Sequence, residues 1–102
     1  QDKSVLAFVK AMDDAGKIVA GLCHGPWIMI SAKVLKGRTV CAYVGMVDDM
    51  VNSGANVVDA EVITDGNIIT CSYYGYVGKF MQAVFSAVEG RVTQQPAIRI
   101  AA

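Results

Sequence analysis

The residues with the clearest chemical potential form one short segment, residues 21–26, with the sequence GLCHGP. It matches the G-x-nucleophile-x-G elbow, with cysteine in place of the usual serine. Glycines two residues before and two residues after the nucleophile let the backbone turn sharply without a Cβ clash, and they leave the nucleophile strained and facing solvent. The pattern predicts Cys23 as a nucleophile in an elbow formed with Gly21 and Gly25.

Two features of the segment favour the reactive thiolate form of Cys23. Pro26 suits the first turn of a helix, whose partial positive end would point at the sulfur, and His24 places an imidazole beside it. Both would lower the pKa of the thiol below its free value of about 8.5. The backbone N–H of His24 could also donate to an oxyanion, provided that another loop supplies a second donor.

The use of His24 as a proton carrier depends on the irregular backbone of the elbow. Adjacent side chains on regular structure do not face each other, so only the elbow could bring this ring near Cys23 or a substrate. An acid would also be needed to orient the ring. The carboxylates nearest in order are Asp48, Asp49 and Glu61, and their spacing selects none of them.

Structural interpretations compete with the functional ones. A cysteine at a strand-to-helix turn can be a small buried hydrophobe, but the flanking glycines favour function for Cys23. Cys41, inside a predicted strand, and Cys71, at a strand end, are predicted to pack in the core. Three aromatic residues are candidates for the wall of a pocket, with plain packing as the alternative: Trp27, Tyr73 and Tyr74.

The elements that would position the elbow follow an α/β pattern. Apolar residues at helical spacing predict a helix over about residues 4–15, with Ser4 as its cap and Gly16 at its end. Residues 17–22 are mostly apolar and include the β-branched Ile18 and Val19, which predicts a central parallel strand that is covered on both faces. Pro26 begins the next helix, which runs through Ala32 and closes over residues 33–37.

Further elements follow along the chain. The pattern predicts strands at 39–42 and 56–58, with a helix at 47–53 between them that Gly54 stops. Asp65-Gly66 lies between two apolar runs, 61–64 and 67–71, which is the strongest hairpin signal in the sequence. After it come an aromatic and glycine-rich loop over 73–78, a helix over 79–89 and, from 91 to 102, an extension or arm that contains Pro96.

Composition excludes several classes of function. The 102 residues make one domain at most, and nine basic against nine acidic residues, without a charge run, indicate no nucleic-acid or membrane partner. The apolar runs are far shorter than the ~20 residues of a bilayer span. Three cysteines and one histidine fit neither a disulfide framework nor a zinc site. We therefore predict a cytoplasmic protein without a metal or cofactor.

The chain is more apolar than its size explains. It is 54% hydrophobic with a mean hydropathy of +0.42, whereas a compact chain of about 100 residues buries only about 60 to 65% of its unfolded surface. Doubly wound sheets have about five or more strands, but only two buried strands and a hairpin are visible here. The chain is therefore predicted to assemble with something or to be a piece of a larger fold.

A series of motifs in fixed order resembles the C-terminal half of the ThiJ/PfpI family. The resemblance runs from about residue 3 to residue 88 and is strong because the order of the motifs is kept. The motifs are residues 14–17 (DAGK), 23–26 (CHGP), 30–38 (ISAKVLKGR), 48–49 (DD), 54–55 (GA) and 62–70 (VITDGNIIT).

The resemblance implies a fold and a functional centre. The fold would be the C-terminal part of a flavodoxin-like, doubly wound α/β sandwich of the class I glutamine amidotransferase superfamily. Its functional centre would be the elbow cysteine, Cys23, with His24 beside it. Family members have been assigned as cysteine peptidases, glyoxalases, deglycases, hydratases, chaperones and redox sensors, and the fold does not choose among them.

The chain departs from the family pattern in two ways that bear on the expected active site. The family's first half, with its opening strands, the glutamate that contacts the cysteine and the glycine pair of the oxyanion site, has no counterpart in these residues. We predict that a separate chain or a cleavage product supplies it, in an assembly that is oligomeric. The family's polar stretch Ser-Arg-x-Pro-x-Asp-Leu is replaced at residues 71–79 by CSYYGYVGK, which alters the pocket wall.

The leading hypothesis is an enzyme in which the Cys23 thiolate attacks a small electrophilic carbonyl or amide substrate while His24 moves protons. Residues 1–90 would form the C-terminal half of a single domain, and residues 91–102 the arm. The alternatives are a thiol redox sensor or chaperone that uses the same thiolate, and a structural subunit of a heteromeric enzyme.

Overall fold

Helices and strands alternate along the chain, as the sequence predicts for an α/β fold. A computed structural model describes residues 2–90 and the backbone of residues 98 and 99. The helices are α1 (Lys3–Asp14), α2 (Pro26–Ser31), α3 (Val47–Asn52) and α4 (Val77–Val88). The strands are β1 (Val19–Leu22), β2 (Thr39–Val40), β3 (Asn56–Asp59), β4 (Val62–Asp65), β5 (Ile68–Cys71) and β6 (Ile98–Arg99).

The first helix forms where the sequence predicts it, but its cap is Asp2 rather than Ser4. Asp2 Oδ1 accepts hydrogen bonds from the Ser4 N–H at 2.8 Å and from the Ser4 hydroxyl at 2.6 Å. These bonds satisfy a free amide of the first turn, and they lower the pKa of the Asp2 carboxyl. The helix ends at Asp14, and Gly16 follows its C-cap with a φ of 72°, the left-handed conformation expected of that position.

The strands form two three-stranded sheets, with strand orders β1-β5-β4 and β2-β3-β6. β1 runs parallel to β5, β2 runs parallel to β3, and β4 and β5 form the predicted antiparallel hairpin. Because Asp65 pairs with Ile68, the hairpin loop consists of Gly66 and Asn67, with Gly66 at a φ of 59°.

Side chains connect the two sheets and set their relative direction. The Thr39 N–H donates to Asp65 Oδ2 at 2.6 Å, and the Cys41 N–H donates to Thr70 Oγ1 at 3.0 Å. Since Asp65 pairs with Ile68 of β5, β2 advances in the same direction as β5 and β1. The carboxyl ends of β1, β2, β3 and β5 therefore lie at one edge, which is where open α/β sheets bind ligands.

The most deeply buried strand is β5 and not β1, so the prediction of a central strand at residues 17–22 is wrong within the described chain. All four residues of β5 are buried, because the strand has a neighbour on each side and α4 against one face. In β1 only Gly21 is buried, and Ala20 is exposed. β1 has one hydrogen-bonded neighbour among the described residues, which leaves its other edge uncovered.

Three other predicted elements shift at their ends. The helix after the elbow, expected to run through Ala32, ends at Ser31, and Lys33 adopts a left-handed φ of 61°. The predicted strand 39–42 is only two residues long. The aromatic segment expected as a loop forms a 3₁₀ turn, Tyr74–Tyr76, so that α4 starts two residues earlier than predicted.

Most of the predicted arm lies outside the described residues. Its described part, β6, pairs antiparallel with β3, with Arg99 opposite Val58 and Ile98 opposite Asp59. The division of the chain into residues 1–90 and an arm from 91 to 102 stays a prediction.

A half-buried polar cluster ties α1 to the hairpin, and it supports a testable prediction. Asp13 Oδ1 accepts hydrogen bonds from Arg38 and from Asn67, both at 2.9 Å, and its side chain is only 11% exposed. Asp14, its neighbour, pairs with Lys10 at a side-chain exposure of 60%. A bridged, half-buried carboxylate contributes more than an exposed one, because removing it leaves its donors without a partner.

We therefore expect Asp13→Ala to lower the free energy of unfolding by about 2 kcal/mol. Asp14→Ala serves as the matched control and should cost less than about 0.5 kcal/mol. Chemical denaturation of the complete protein measures both. Equal losses for the two variants would contradict the structural role given to the cluster.

Candidate active site

The predicted elbow has the backbone geometry of a strained turn. Cys23 follows β1 directly and has a φ of 57°. A left-handed conformation at a non-glycine residue costs on the order of 1–3 kcal/mol and clusters at functional sites. The Cys23 N–H donates to the carbonyl oxygen of Cys71 at 2.9 Å. The turn is thereby held to the end of β5, the most buried strand of the described sheet.

The two elbow glycines are required by close approach. A Cβ at Gly21 would lie 2.8 Å from Met29 Sδ and 3.0 Å from Pro26 Cγ. A Cβ at Gly25 would lie 3.1 Å from the carbonyl oxygen of Leu22. Both separations are tighter than ordinary contacts, so glycine is what lets α2 start directly beneath the strand.

The backbone amides of the elbow differ in what they can still bind. The Gly25 N–H donates to the Leu22 carbonyl at 2.9 Å, and Pro26 has no N–H. The His24 N–H has no backbone acceptor within residues 2–90. Of the residues predicted for an oxyanion site, His24 is therefore the one whose amide can donate, whereas Gly21 and Gly25 shape the turn.

The strained turn brings two adjacent side chains together. Cys23 Sγ lies 3.3 Å from His24 Nδ1, within hydrogen-bonding distance for sulfur. The imidazole packs against two other rings, with its centroid 5.1 Å from that of Trp27 and 4.7 Å from that of Tyr43. This aromatic contact orients the ring toward the sulfur, so the two groups can exchange a proton.

Two of the three carboxylates nearest in sequence, Asp49 and Glu61, have other partners, and Asp48 has none among the described contacts. Asp49 Oδ2 accepts a hydrogen bond from Trp27 Nε1 at 3.0 Å, and Glu61 pairs with Lys79. Within residues 2–90, no carboxylate hydrogen-bonds the His24 ring. Asp49 acts on the site indirectly, because it fixes the indole against which His24 packs.

The other two cysteines pack in the core, as predicted. Cys41 and Cys71 are both fully buried, whereas Cys23 is only half-buried. Burial raises the pKa of the Cys41 thiol to about 11 and also raises the pKa of Cys71. The Cys71 thiol donates to the carbonyl of Tyr73 at 3.3 Å. Cys23 is therefore the one of the three thiols with access to solvent.

Tyrosines line the approach to the elbow. The ring of Tyr73 stacks on Tyr43 at 6.3 Å and contacts Tyr74 at 4.3 Å and Tyr76 at 6.2 Å between centroids. A hydrogen bond with Tyr74, together with burial, raises the pKa of the Tyr73 phenol. Sequence analysis missed Tyr43, whose only signal was its place just after β2, at the carboxyl edge of the sheet.

Two depressions lie near the elbow, each with a wall residue whose ring contacts the His24 ring. The first is a cavity of about 430 Å³ at the carboxyl edge, which we call the tyrosine cavity; its walls include Tyr43, Val58, Asp59, Ser72, Tyr73 and Tyr76. The second has about 390 Å³ and lies between α2 and α3, with Trp27, Asp49, Asn52 and Ser53 in its walls.

The three residues predicted to line a pocket therefore lie in three different places. Tyr73 lines the tyrosine cavity, Trp27 lines the second depression, and Tyr74 lies on the outer side of Tyr73 with 63% of its surface exposed. Their roles in binding stay predictions.

The described part of the chain contains neither a membrane-spanning helix nor a metal-binding cluster. None of its helices has the length and apolar character needed to cross a bilayer. None of its His, Cys, Asp and Glu side chains gather in a group of three or more that could hold a metal ion.

The chain is similar to several known proteins. A deglycase from Pyrococcus abyssi is 43% identical over 81 residues, which cover 79% of this chain and 49% of that protein. Deglycase PfpI from Pyrococcus furiosus is 41% identical over 81 residues, with the same shares. The crystal structure of a ThiJ/PfpI domain protein from Brachyspira murdochii superimposes with a TM-score of 0.83 at 28% identity, over 88% of this chain and 52% of that chain.

The matches cover most of this chain but only part of each relative. The chain spans about half the length of the curated relatives it matches. The described elements are accordingly part of a flavodoxin-like α/β domain, in agreement with the predicted fold class. The profile of the DJ-1/PfpI family matches residues 1–87, and the chain belongs to that family.

Proposed function

We propose that the chain carries the nucleophile of an enzyme that acts on small electrophilic carbonyl compounds, with deglycase or glyoxalase chemistry preferred over peptide hydrolysis. The observation that carries the proposal is the half-exposed Cys23 at a φ of 57°, with Sγ 3.3 Å from His24 Nδ1. Two relatives that are more than 40% identical are named deglycases, which supports the choice of substrate class.

The chemistry follows from the arrangement of the elbow. The thiol proton passes to His24 Nδ1, Sγ forms a bond to the carbonyl carbon, and the π electrons of the carbonyl move to its oxygen. The His24 N–H can donate to that oxyanion. On an amide, collapse of the adduct expels the amine, which takes the proton from the imidazole, and water then cleaves the thioester. On a 2-oxoaldehyde, the imidazolium protonates the oxyanion to give a hemithioacetal. The imidazole then moves the C1 proton to C2 through an enediol, and water cleaves the resulting thioester to release a 2-hydroxy acid and the thiol.

The site needs groups that these residues do not supply, namely an acid near His24 and a second oxyanion donor. The surface also has uncovered apolar regions. Among the strands that the structure describes, none pairs with the second edge of β1, and α1 has no buried residue, with Val5 and Phe8 exposed. We propose that a complementary N-terminal segment, present as a separate chain or as a cleavage product, covers β1 and supplies both groups. The assembly would be an oligomer in the cytoplasm.

A second candidate function uses the same sulfur. Cys23 is the one half-exposed thiol of the three, so peroxide would oxidise it before Cys41 or Cys71. A redox sensor or a chaperone regulated by that oxidation would need no turnover of a metabolite. The third candidate, a structural subunit of a heteromeric enzyme, predicts that Cys23 reacts no faster than the buried thiols.

The test is a turnover assay on the complete protein, with 2-oxoaldehydes, glycated amines, simple amides and peptides as substrates. We expect loss of the aldehyde or the glycated amine, and we expect one equivalent of iodoacetamide to stop turnover while it labels Cys23 alone. Labelling of Cys23 without turnover of any substrate, together with its selective oxidation by peroxide, would favour the redox function. Equal labelling of all three thiols would contradict both.

A further inference from the structure

We propose that the tyrosine cavity is a substrate subsite that binds a neutral aryl group attached to the reacting carbonyl. The inference rests on the proposed function, because it assigns the substituent that the Cys23 enzyme prefers. The cavity would make the enzyme select an aryl-substituted oxoaldehyde over a small aliphatic one.

The cavity is linked to the nucleophile through Tyr43 and His24. Tyr43, which forms one wall, packs its ring 4.7 Å from the His24 ring, and His24 Nδ1 lies 3.3 Å from Cys23 Sγ. Tyr73, on the same wall, stacks on Tyr43 with an interplanar angle of 16°. A substituent on a carbonyl carbon bonded to the sulfur would reach the cavity along the His24 and Tyr43 rings.

The size and lining of the cavity suit an aromatic ring. Its volume is about 430 Å³, which lies in the range of about 300 to 1,000 Å³ typical of small-molecule sites. An apolar cavity of about 150 Å³ is enough for benzene, so an aryl ring and a short linker both fit. The rings of Tyr43, Tyr73 and Tyr76 lie at different orientations, which favours offset stacking with an aryl ring. The apolar part of the wall also includes Val44, Val47 and Val58.

The polar groups of the cavity restrict the charge of the ligand. Asp59 at the end of β3 and Ser72 just after β5 contribute the polar part of the wall. A carboxylate there repels an anionic substituent, while the serine hydroxyl can bond to a neutral one. The preferred group is therefore a neutral aryl, as in phenylglyoxal, and not an aryl carboxylate.

The second depression is a poorer match, although Trp27 also touches His24. Its walls contain Ser31, Asp49, Asn52 and Ser53, and the Trp27 N–H is already bonded to Asp49. Trp27 and Ile30 give it apolar surface too, but four of its six lining residues are polar, whereas the tyrosine cavity has Asp59 and Ser72 besides its tyrosines. Because its Trp27 packs against the same imidazole, it provides a matched control.

The experiment measures alkylation of Cys23 in the complete protein by iodoacetamide and by N-phenyliodoacetamide. In each reaction Sγ bonds to the methylene carbon and iodide leaves, so catalysis is not required. Rates are followed by peptide mass spectrometry and divided by the rates of the same reagents with free cysteine. The variants are Val44→Asp at the cavity rim, where the side chain is 80% exposed, Ala60→Leu inside the cavity, and Asn52→Leu in the second depression as control.

We expect the phenyl reagent to react about tenfold faster than iodoacetamide after this correction, in the wild type and in Asn52→Leu. Val44→Asp and Ala60→Leu should each reduce the preference to about twofold or less, because one places a charge at the rim and the other fills the space. Equal corrected rates in the wild type, or loss of the preference in Asn52→Leu alone, would overturn the proposal.

A parallel turnover assay separates this inference from the proposed function. If neither phenylglyoxal nor methylglyoxal is consumed while the alkylation preference persists, the enzyme proposal fails and the subsite stands. If methylglyoxal is consumed at least as efficiently as phenylglyoxal and the alkylation preference is absent, the enzyme proposal stands and the subsite fails.

Discussion

Cys23→Ser is expected to lower kcat/KM for the carbonyl substrate by about 10³-fold or more, with the fold unchanged. The hydroxyl is nearly isosteric with the thiol, but its pKa is far higher, so it is not present as an anion at neutral pH, and no carboxylate within residues 2–90 orients the His24 ring to act as its general base. The measurement is steady-state turnover of the complete protein, with circular dichroism to establish that the variant folds.

Cys71→Ser is the matched control for this experiment. It makes the same chemical change one strand away, at a buried residue whose thiol donates to the Tyr73 carbonyl. A serine hydroxyl can donate to that carbonyl too, and the backbone carbonyl of residue 71 still accepts from Cys23. Turnover should stay within about twofold of wild type. Full activity in Cys23→Ser would rule out the nucleophile assignment.

Gly21→Ala is expected to reduce the free energy of unfolding by about 3 kcal/mol and to remove most of the activity. The new Cβ would lie 2.8 Å from Met29 Sδ and 3.0 Å from Pro26 Cγ, and a proline ring cannot rotate away from it. Relief of the clash requires α2 to move away from β1, which displaces the Cys23 turn between them. Denaturation and turnover measured on the same preparation test both effects.

Gly78→Ala is the control for Gly21→Ala. Gly78 lies in the first turn of α4, and a Cβ built there has no neighbour within 4 Å. Alanine is also the better helix former, so this variant should be unchanged or more stable by up to about 1 kcal/mol. Similar losses at the two glycines would mean that the close approach at the elbow is not what requires Gly21.

The local part of the structure could be predicted from the sequence because its signals are local. The spacing of Gly21, Cys23 and Gly25 predicts a sharp turn between a strand and a helix, and the structure has one. The Asp65-Gly66 pair predicts a hairpin in the same way, although the loop proves to be Gly66 and Asn67. Each of these features depends on backbone preferences of a few consecutive residues.

The features that sequence analysis missed depend on residues far apart in the chain. Residues 17–22 have the composition of a fully covered strand, but which strand covers them is a matter of pairing, and β1 has one partner in the described chain. Tyr43 meets the elbow only because β2 runs in the same direction as β1. The bond from Trp27 to Asp49, 22 residues apart, likewise has no local signal.

Within the site, only the contact between Cys23 and His24 could be predicted from the sequence. The approach of Cys23 to His24 follows from one turn, whereas the surroundings of His24 come from α2, from the segment after β2 and from the tyrosines after β5. Composition identifies those tyrosines as unusual for a loop but does not say that they enclose a cavity. Only the packing of the strands at the carboxyl edge brings the three segments together.

The uncovered edge of β1 has a consequence for how such a protein can be produced in a cell. Among the described residues, Val19–Leu22 has unpaired amide and carbonyl groups along one edge, and these four residues include no charge, no proline and no bulge that would prevent pairing with another chain. Two copies of the chain can therefore pair along the same row of hydrogen bonds. If the complementary segment proposed above covers this edge, its synthesis close in time and space would favour that pairing over intermolecular growth of the sheet.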